Sequence, residues 1–479
     1  MNLRAQQLKR LHEEAFDVLV IGCGINGAAA PAALSARGVK TALVDRGDFG
    51  GCTSQSSSNL IWGGIKYLES MEIGLVRELC RSRNKLIRAY PTAIREIRFL
   101  THLEQGFRFP AFLIYSGALL YWLMGFFQTR APRFFTRSAM ASEEPLIKTT
   151  DCIGGVEYSD AYLVEHDARF VLQFVRRSLK EGCAAVNYVR CLKSSRSEEG
   201  IWETSMKEVR LGDKWTLRSR ILINACGPFV DRQNYESGLS SSHRHVFSKG
   251  IHLVVPRLSK KERVLAFLAD DGRLFFAIPM GDRTVIGTTD TRVPEPETAV
   301  TEADRQFVLD NINKRLNLKQ PLRRMDILSE RCGVRPLVLE IDQKDEEKDW
   351  IQLSRRHAID ACRESGHLSI YGGKLTDCLN IGEEICELIW EMGIVPFSPH
   401  RNWYGEPAAE RRRSFLAAAE KLNPFQFSET RKTPWGLNAF TPLTDEWYRH
   451  LPIKDWGELL KETAPYMAQH IANADDGEY

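Results

Sequence analysis

Three glycines in the order G-x-G-x-x-G, namely Gly22, Gly24 and Gly27 of GCGING, can bring backbone close against a pyrophosphate, because no Cβ stands between them. Asp45 follows 18 residues after Gly27, where a carboxylate can accept hydrogen bonds from ribose hydroxyls. Close behind come five Ser or Thr in the six positions 53–58, then the pair Gly63-Gly64. Ser-rich segments between glycines are often solvated linkers. Here Leu60, Ile61, Trp62, Ile65, Tyr67 and Leu68 crowd the second glycine pair, and a linker would stay polar. Two cations sit beside tight turns: Lys374 after Gly372-Gly373, and Arg335 before Pro336 in GVRPL. Cations at strand ends of this kind suit an anionic ligand rather than a bare surface.

The elements needed to position these groups are legible. FDVLVI, residues 16–21, is a continuous apolar strand that runs into GCGING; residues 28–37 form a small-residue helix, and VKTALV leads to Asp45. This β-α-β unit offers a helix N-terminus, with free N–H groups and a positive dipole end, to a dinucleotide phosphate. The unit alone does not choose between FAD and NAD. ILINACGPFVD, holding Ala225 and Gly227, is another strand entering a turn, and LSIYGGKLTDCLNIGE is a strand, a glycine pair and a helix starting near Leu375. Pieces of one dinucleotide fold therefore begin near residues 16, 221 and 368, with long insertions between them. A two-domain flavoprotein is threaded this way, whereas a simple NAD dehydrogenase finishes its Rossmann domain in one block. The expected fold is α/β: an FAD/NAD(P)-binding Rossmann-like domain with an inserted α+β substrate domain and a short C-terminal helical region. The expected boundaries are 14–80, 155–245 and 350–393 for the FAD part, 81–154 and 246–349 for the substrate part, and 394–479 for the helical region.

Bulk properties agree with this reading. A chain of 479 residues predicts two or three domains, and 43% hydrophobic with 27% charged residues is ordinary for a globular protein. A net charge of +3 does not point to nucleic acid. Eleven cysteines without a C-x-x-C pair and eleven histidines without an H-E-x-x-H set give neither a disulfide framework nor a metal site, and they suit a reduced, cytoplasmic setting. The N-terminal MNLRAQQLKRLHEEAF reads as a charged amphipathic helix, not a signal peptide. Residues 111–127, AFLIYSGALLYWLMGFF, carry no charge, with Arg108 before them and Arg130, Arg133 and Arg137 after. Three readings stay open: a buried helix, an interfacial membrane helix and, least favoured, a transmembrane span. The run Arg411–Arg413 reads as a solvated helix face.

Several motifs in order resemble those of the FAD-dependent (respiratory) glycerol-3-phosphate dehydrogenases and their oxidase relatives. They are DVLVIGCGINGA, VDRGDFGGCTSQSSSNLIWGGIKYLE, LVRE, INACGPFVD, SKGIHLVV, DRTVIGTTDT, RCGVRPL and YGGKLTD, and they cover roughly residues 17–391. The resemblance implies FAD as cofactor and makes the Ser-rich loop its cradle. The matching positions are Gly22, Gly24, Asn26, Gly27, Asp45, Thr53, Ser54, Ser57, Ser58, Leu60, Trp62, Gly63, Gly64, Ala225, Gly227, Gly373, Lys374, Leu375 and Thr376. It also implies hydride transfer from a secondary alcohol of a small phosphorylated substrate to flavin N5, giving a ketone such as dihydroxyacetone phosphate. By the same resemblance, Arg335 and Lys374 are substrate-facing cations, Lys66 and Tyr67 stand where the family has a phosphate-contacting Arg-Tyr pair, and Arg355 or Arg356 adds a cation. His252 is the candidate base, with a structural histidine as the alternative, and Asp290 either orients its neighbours or caps a turn.

The sequence departs from the family pattern T-S-S-R-S-S-K-L-I-H-G-G-L-R-Y-L-E at Ser56, Asn59, Trp62 and Lys66, and GGKLTD stands for G-G-K-W-T-T. Lys66 exchanges a bidentate fork for a point charge. The alternatives are therefore a same-fold flavoenzyme oxidising another alcohol or an amine, or a flavin-binding protein without turnover. Expected partners are a small anionic substrate, quinone or oxygen as electron acceptor, a peripheral contact on the inner face of a membrane and a second copy in a homodimer.

Overall fold

A computed structural model describes residues 3–107, 109–164, 166–341, 356–406 and 410. Two sheets organise these residues. In the first, strands run in the order Ala358–Cys362, His367–Tyr371, Lys214–Asn224, Phe16–Ile21, Thr41–Val44 and Ala184–Val186. The last five are parallel. The strands Val189–Arg196 and Trp202–Glu208 continue antiparallel from Lys214–Asn224. A parallel sheet must be covered on both faces, which is why FDVLVI is apolar almost throughout rather than alternating.

One face is covered by the helices Ile25–Ala36, Asp167–Lys180 and Cys378–Glu391, which share a core with Val18, Val20 and Ile223. Ala28, Ala29, Ala32 and Ala33 are buried, and their small side chains let the first helix lie close to the strands. The other face is covered by the N-terminal helix Leu3–Glu13, which buries Leu11, and by Trp202 and Met206. This is the role of the amphipathic start of the chain.

The second sheet has ten strands. Its main order is Thr291–Val293, His243–Pro256, Arg283–Gly287, Leu274–Met280, Arg263–Leu268, Ile94–Glu104, Cys152–Leu163 and Leu60–Ile61. Ser329–Glu340 pairs with His243–Pro256, and Arg133–Phe135 with Cys152–Leu163. The helix Glu302–Arg315 packs into one core of this sheet. The helices Ile73–Ala89 and Ala111–Met124 pack into another. The expected Rossmann-like domain with an α+β partner is the observed architecture. The sheets divide the chain differently at two places: Leu60–Ile61, inside the expected 14–80, belongs to the second sheet, and so do residues 155–163. Residues 155–163 were expected with the first sheet but lie in Cys152–Leu163, paired along its length with Ile94–Glu104 of the second. No turn separates 154 from 155, so the crossing falls after Leu163.

The uncharged segment 111–127 forms the helix Ala111–Met124. Only Ala118 and Tyr121 of it are buried, while Phe112, Leu113, Leu120, Leu123, Phe126 and Phe127 are exposed. A wholly buried helix is therefore not what forms. Among the described residues no helix is long and apolar enough to cross a membrane. Of the expected C-terminal region, residues 394–406 are described: Trp403 is buried against Phe174, and its indole N–H donates to Glu383 at 2.6 Å. Arg411–Arg413 and, apart from residue 410, the rest of the expected helical region from 407 on lie outside the described residues.

Candidate active site

The first glycine turn is closed by sterics. Gly22 has φ +93°, and a Cβ there would stand 2.6 Å from the Ala225 carbonyl oxygen. A Cβ on Gly27 would stand 1.9 Å from the Gly22 carbonyl oxygen. Asp45 accepts the Cys23 N–H at 2.6 Å and the Gly47 N–H at 2.8 Å, so its carboxylate is fixed at the end of its strand. Burial pushes its pKa up, and the two N–H donors oppose that rise.

The Ser-rich segment is folded onto this turn. Ser54 Oγ accepts the Ile25 N–H at 2.9 Å, at the start of the helix where an anion is favoured. Thr53 Oγ1 donates to the Val334 carbonyl at 2.8 Å, and the Ser57 N–H donates to Asp167 at 2.9 Å. Ser57 Oγ accepts the Asn59 N–H at 3.0 Å, with Ser58 partly buried between them. Leu60 and Ile61 then enter the second sheet opposite Tyr162 and Ala161. A segment tied to both sheets is a cradle, not a linker. From the far side, Asn26 Nδ2 donates to the Gly372 carbonyl at 3.0 Å, and a Cβ on Gly373 would stand 2.9 Å from the same amide. Asn26 Oδ1 is buried with no hydrogen-bond partner among the described residues. Gly227, at φ +55°, follows Ala225, whose N–H joins the Ile21 carbonyl at 2.8 Å. Strands from three distant stretches thus end around one backbone-lined hollow that a Cβ would fill. These features fit the pyrophosphate and ribose of FAD.

A second group surrounds the turn at residues 62–64. Trp62 meets Phe276 edge-on at 6.4 Å, and its carbonyl accepts the Thr376 hydroxyl at 3.2 Å. Lys374 Nζ lies 4.0 Å over the Tyr67 ring, so two of the expected site residues meet. Leu375 packs partly buried against the helical core of the first sheet. Lys66 is half-buried on the short turn Ile65–Leu68.

A third group holds the cations. Arg335 donates to Thr288 Oγ1 at 2.8 Å and to the Thr289 carbonyl at 3.3 Å, and lies 3.5 Å from Asp290. Asp290 also accepts the Ser248 hydroxyl, so it braces Arg335. His252 pairs across the sheet with Arg331 and Gly287. It is 3% exposed, and neither ring nitrogen has a hydrogen-bond partner. Burial first, then Arg335 and Arg331, push its pKa down to about 3, so the imidazole is neutral. A neutral imidazole can accept a proton, and an anion bound between the two guanidiniums would offset the charges that weaken it as a base. Arg331 also donates to the Ser57 carbonyl and Asn59 Oδ1, each at 3.3 Å.

Arg356 stands apart in character: its side chain is 65% exposed and lies 3.7 Å from Glu78. Arg355 lies outside the described residues. Arg331 was missed in the sequence, although two arginines four apart in RCGVRPL lie on one face of a strand. His357 was missed too, hidden behind the arginines of LSRRHAID. Its Nδ1 lies 2.5 Å from Asp377 and its Nε2 2.7 Å from Glu384, below the GGKLTD turn. Burial opposes its protonation, but Asp377 and Glu384 prevail and raise its pKa to about 9.

That shift predicts a pH effect. The folded pKa lies above the ordinary 6.5, so the stabilisation is fully present below about pH 6.5 and is lost as pH rises through about 9. After discounting for the half-exposed Glu384, the loss is roughly 2 kcal/mol. Thermal unfolding at pH 6 and pH 9.5 should show a larger drop for the wild type than for His357→Gln. Equal drops would remove His357 from the account.

The two sheets, the glycine turn and the acid-capped second strand define an FAD-dependent oxidoreductase, and the chain belongs to that family: the model described as "DAO: FAD dependent oxidoreductase" matches residues 17–377. Within it, the chain is an enzyme that resembles the glycerol-3-phosphate dehydrogenases. It is similar to the aerobic glycerol-3-phosphate dehydrogenase of Escherichia coli, at 33% identity over 399 residues, covering 80% of this chain and 75% of the relative. The glycerol-3-phosphate dehydrogenase of Pseudomonas tolaasii is 32% identical over 381 residues, covering 77% and 70%. Among solved structures, the glycerol-3-phosphate dehydrogenase from Bacillus halodurans complexed with FAD shares the fold. Its TM-score is 0.68 at 23% identity, over 87% of this chain and 75% of that one.

Proposed function

We propose that the enzyme oxidises the secondary alcohol of a small phosphorylated substrate, glycerol 3-phosphate or a close anionic alcohol, to a ketone. The observation that supports this most is the buried, unpartnered His252 beside Arg331 and Arg335. Bound FAD supplies the hydride acceptor. Arg335, braced by Asp290, and Arg331 bind the anion; Lys66 and Tyr67 bound it from the other side; His252 takes the hydroxyl proton. Lys374 places a positive charge beside the cofactor. The test is steady-state kinetics on glycerol 3-phosphate with a dye acceptor. Lys66 neutralises a phosphate but lacks the paired N–H groups of arginine, so wild-type turnover is expected to be weak. Lys66→Arg should tighten glycerol 3-phosphate by about 1 kcal/mol, near fivefold in KM. A Lys66→Arg enzyme no better than a fully active wild type would show that the altered loop does not set the substrate.

We further propose quinone as the acceptor and peripheral attachment to the inner face of a membrane through Ala111–Met124. The supporting observation is the exposed row Phe112, Leu113, Leu120, Leu123, Phe126 and Phe127. Basic residues border it: Arg77 and Arg81 lie 5.9 and 5.5 Å from the Phe126 ring, and Arg130 and Arg133 are more than half exposed. An apolar face with a basic rim suits an anionic lipid surface. Sedimentation with phosphatidylserine-containing vesicles is expected, weakened by Leu120→Glu. A protein that stays in the supernatant with such vesicles contradicts it.

A further inference from the structure

The turn at residues 62–64 is gripped by charges that the proposed chemistry does not use. Asp160 and Arg83, on strand Cys152–Leu163 and helix Ile73–Ala89, are 0% and 1% exposed, and form an ion pair at 3.0 Å. Tyr121, the buried phenol on the Ala111–Met124 helix, donates to Asp160 Oδ2 at 2.8 Å. Arg83 also donates to the Tyr121 oxygen at 3.1 Å. All of this converges on one backbone amide: the Gly63 N–H points at Asp160, 3.1 Å from Oδ1 and 3.3 Å from Oδ2. A Cβ on Gly63 would stand 2.2 Å from the Tyr121 oxygen, so the phenol touches the turn itself.

The grip is two-sided. Thr376 Oγ1 holds the Trp62 carbonyl, and Ser82 Oγ holds the Thr376 carbonyl at 2.6 Å. Ser82 and Arg83 are neighbours on one helix, so the same helix reaches both ends of the Trp62–Gly63 peptide. Asn84 completes the set: it accepts from Arg83 and donates to the Gly125 carbonyl at 2.8 Å, which ties down the end of the exposed helix. A buried ion pair pays a desolvation cost that its attraction barely recovers, so stability is a weak reason for it. Fixing one peptide plane in one orientation is a use that apolar packing would serve less well.

We propose that Asp160 and Tyr121 are positioning residues that set the orientation of the Gly63 amide against the flavin ring. This rests on the proposed FAD site, in which Trp62, Gly63 and Gly64, matched by the family resemblance to cofactor-binding positions, face the flavin ring. A displaced amide changes the field on the ring, and with it the equilibrium between oxidised and reduced cofactor.

The test is the flavin midpoint potential, measured by reductive titration against a reference dye, which needs no knowledge of the substrate. Tyr121→Phe keeps the ring and the Arg83–Asp160 pair but removes one donor from the carboxylate. Expected is a variant that retains FAD at the wild-type ratio and shifts the reduced-to-oxidised ratio at fixed dye poise about tenfold, near 30 mV for a two-electron couple. Tyr115→Phe is the control on the same helix, since Tyr115 meets Phe134 edge-on at 6.2 Å instead; it should leave the potential unchanged. A Tyr121→Phe potential equal to wild type, with flavin bound in both, overturns the inference and leaves the flavin reading intact. A wild type that binds no FAD overturns both.

Discussion

Lys374→Met should slow reduction of the bound flavin by substrate at least a hundredfold, about 3 kcal/mol of barrier, while FAD affinity changes little. Lys374 begins the turn that follows Gly372-Gly373, and its Nζ stands 4.0 Å over Tyr67 beside the Trp62–Gly64 turn. The proposed pyrophosphate cradle, by contrast, lies at the glycine turn, where Ser54 Oγ accepts the Ile25 N–H and Asn26 donates to the Gly372 carbonyl. Methionine keeps an unbranched side chain one atom shorter and removes the ammonium with its charge and donors. Anaerobic stopped-flow reduction separates the rate from cofactor binding. A variant reduced at the wild-type rate would remove Lys374 from the site.

Gly27→Ala should act at the other end of the cofactor. The new Cβ would stand 1.9 Å from the Gly22 carbonyl oxygen and 3.1 Å from the Ala225 Cβ, and backbone has little freedom to retreat. The helix Ile25–Ala36 must then move off the turn, taking its N-terminal N–H groups with it. A loss of about 3 kcal/mol and of most bound FAD is expected, the upper end for overpacking. Gly74→Ala is the comparison, since a Cβ there meets nothing within 4 Å. Differential scanning with and without added FAD decides the matter. Matching melting behaviour for the two variants would mean that the close approach is not required.

The first sheet was legible because its parts carry local signals: an apolar strand, a glycine turn, a second strand ending in an acid, and later strand–glycine pairs. The Ser-rich loop could be told from a linker because its flanks are apolar, and the family resemblance implied that it is a cradle. Pairing was harder. Cys152–Leu163 contains GGVEYSDAYL, a strand by composition, and nothing local says which sheet it joins; its partner Ile94–Glu104 decides that. Residues 111–127 showed an uncharged run but not its two-faced use, since Tyr121 and Ala118 point inward among residues as apolar as those that point out. Nothing local marks Asp160 or Arg83, because the pairing that buries them joins elements far apart in the chain. His357 drew no notice because its two carboxylates lie beyond it on the Cys378–Glu391 helix and the turn before it.

The interleaved strand order has a consequence for how the chain can be made. Phe16–Ile21 leaves the ribosome about 200 residues before its neighbour Lys214–Asn224, and His367–Tyr371 emerges later still. Until then the apolar strand FDVLVI can pair on one side only, with Thr41–Val44. Such a nascent chain carries an open β-edge while those 200 residues are made, which is the kind of segment that chaperones shield and that truncated messages leave prone to aggregate.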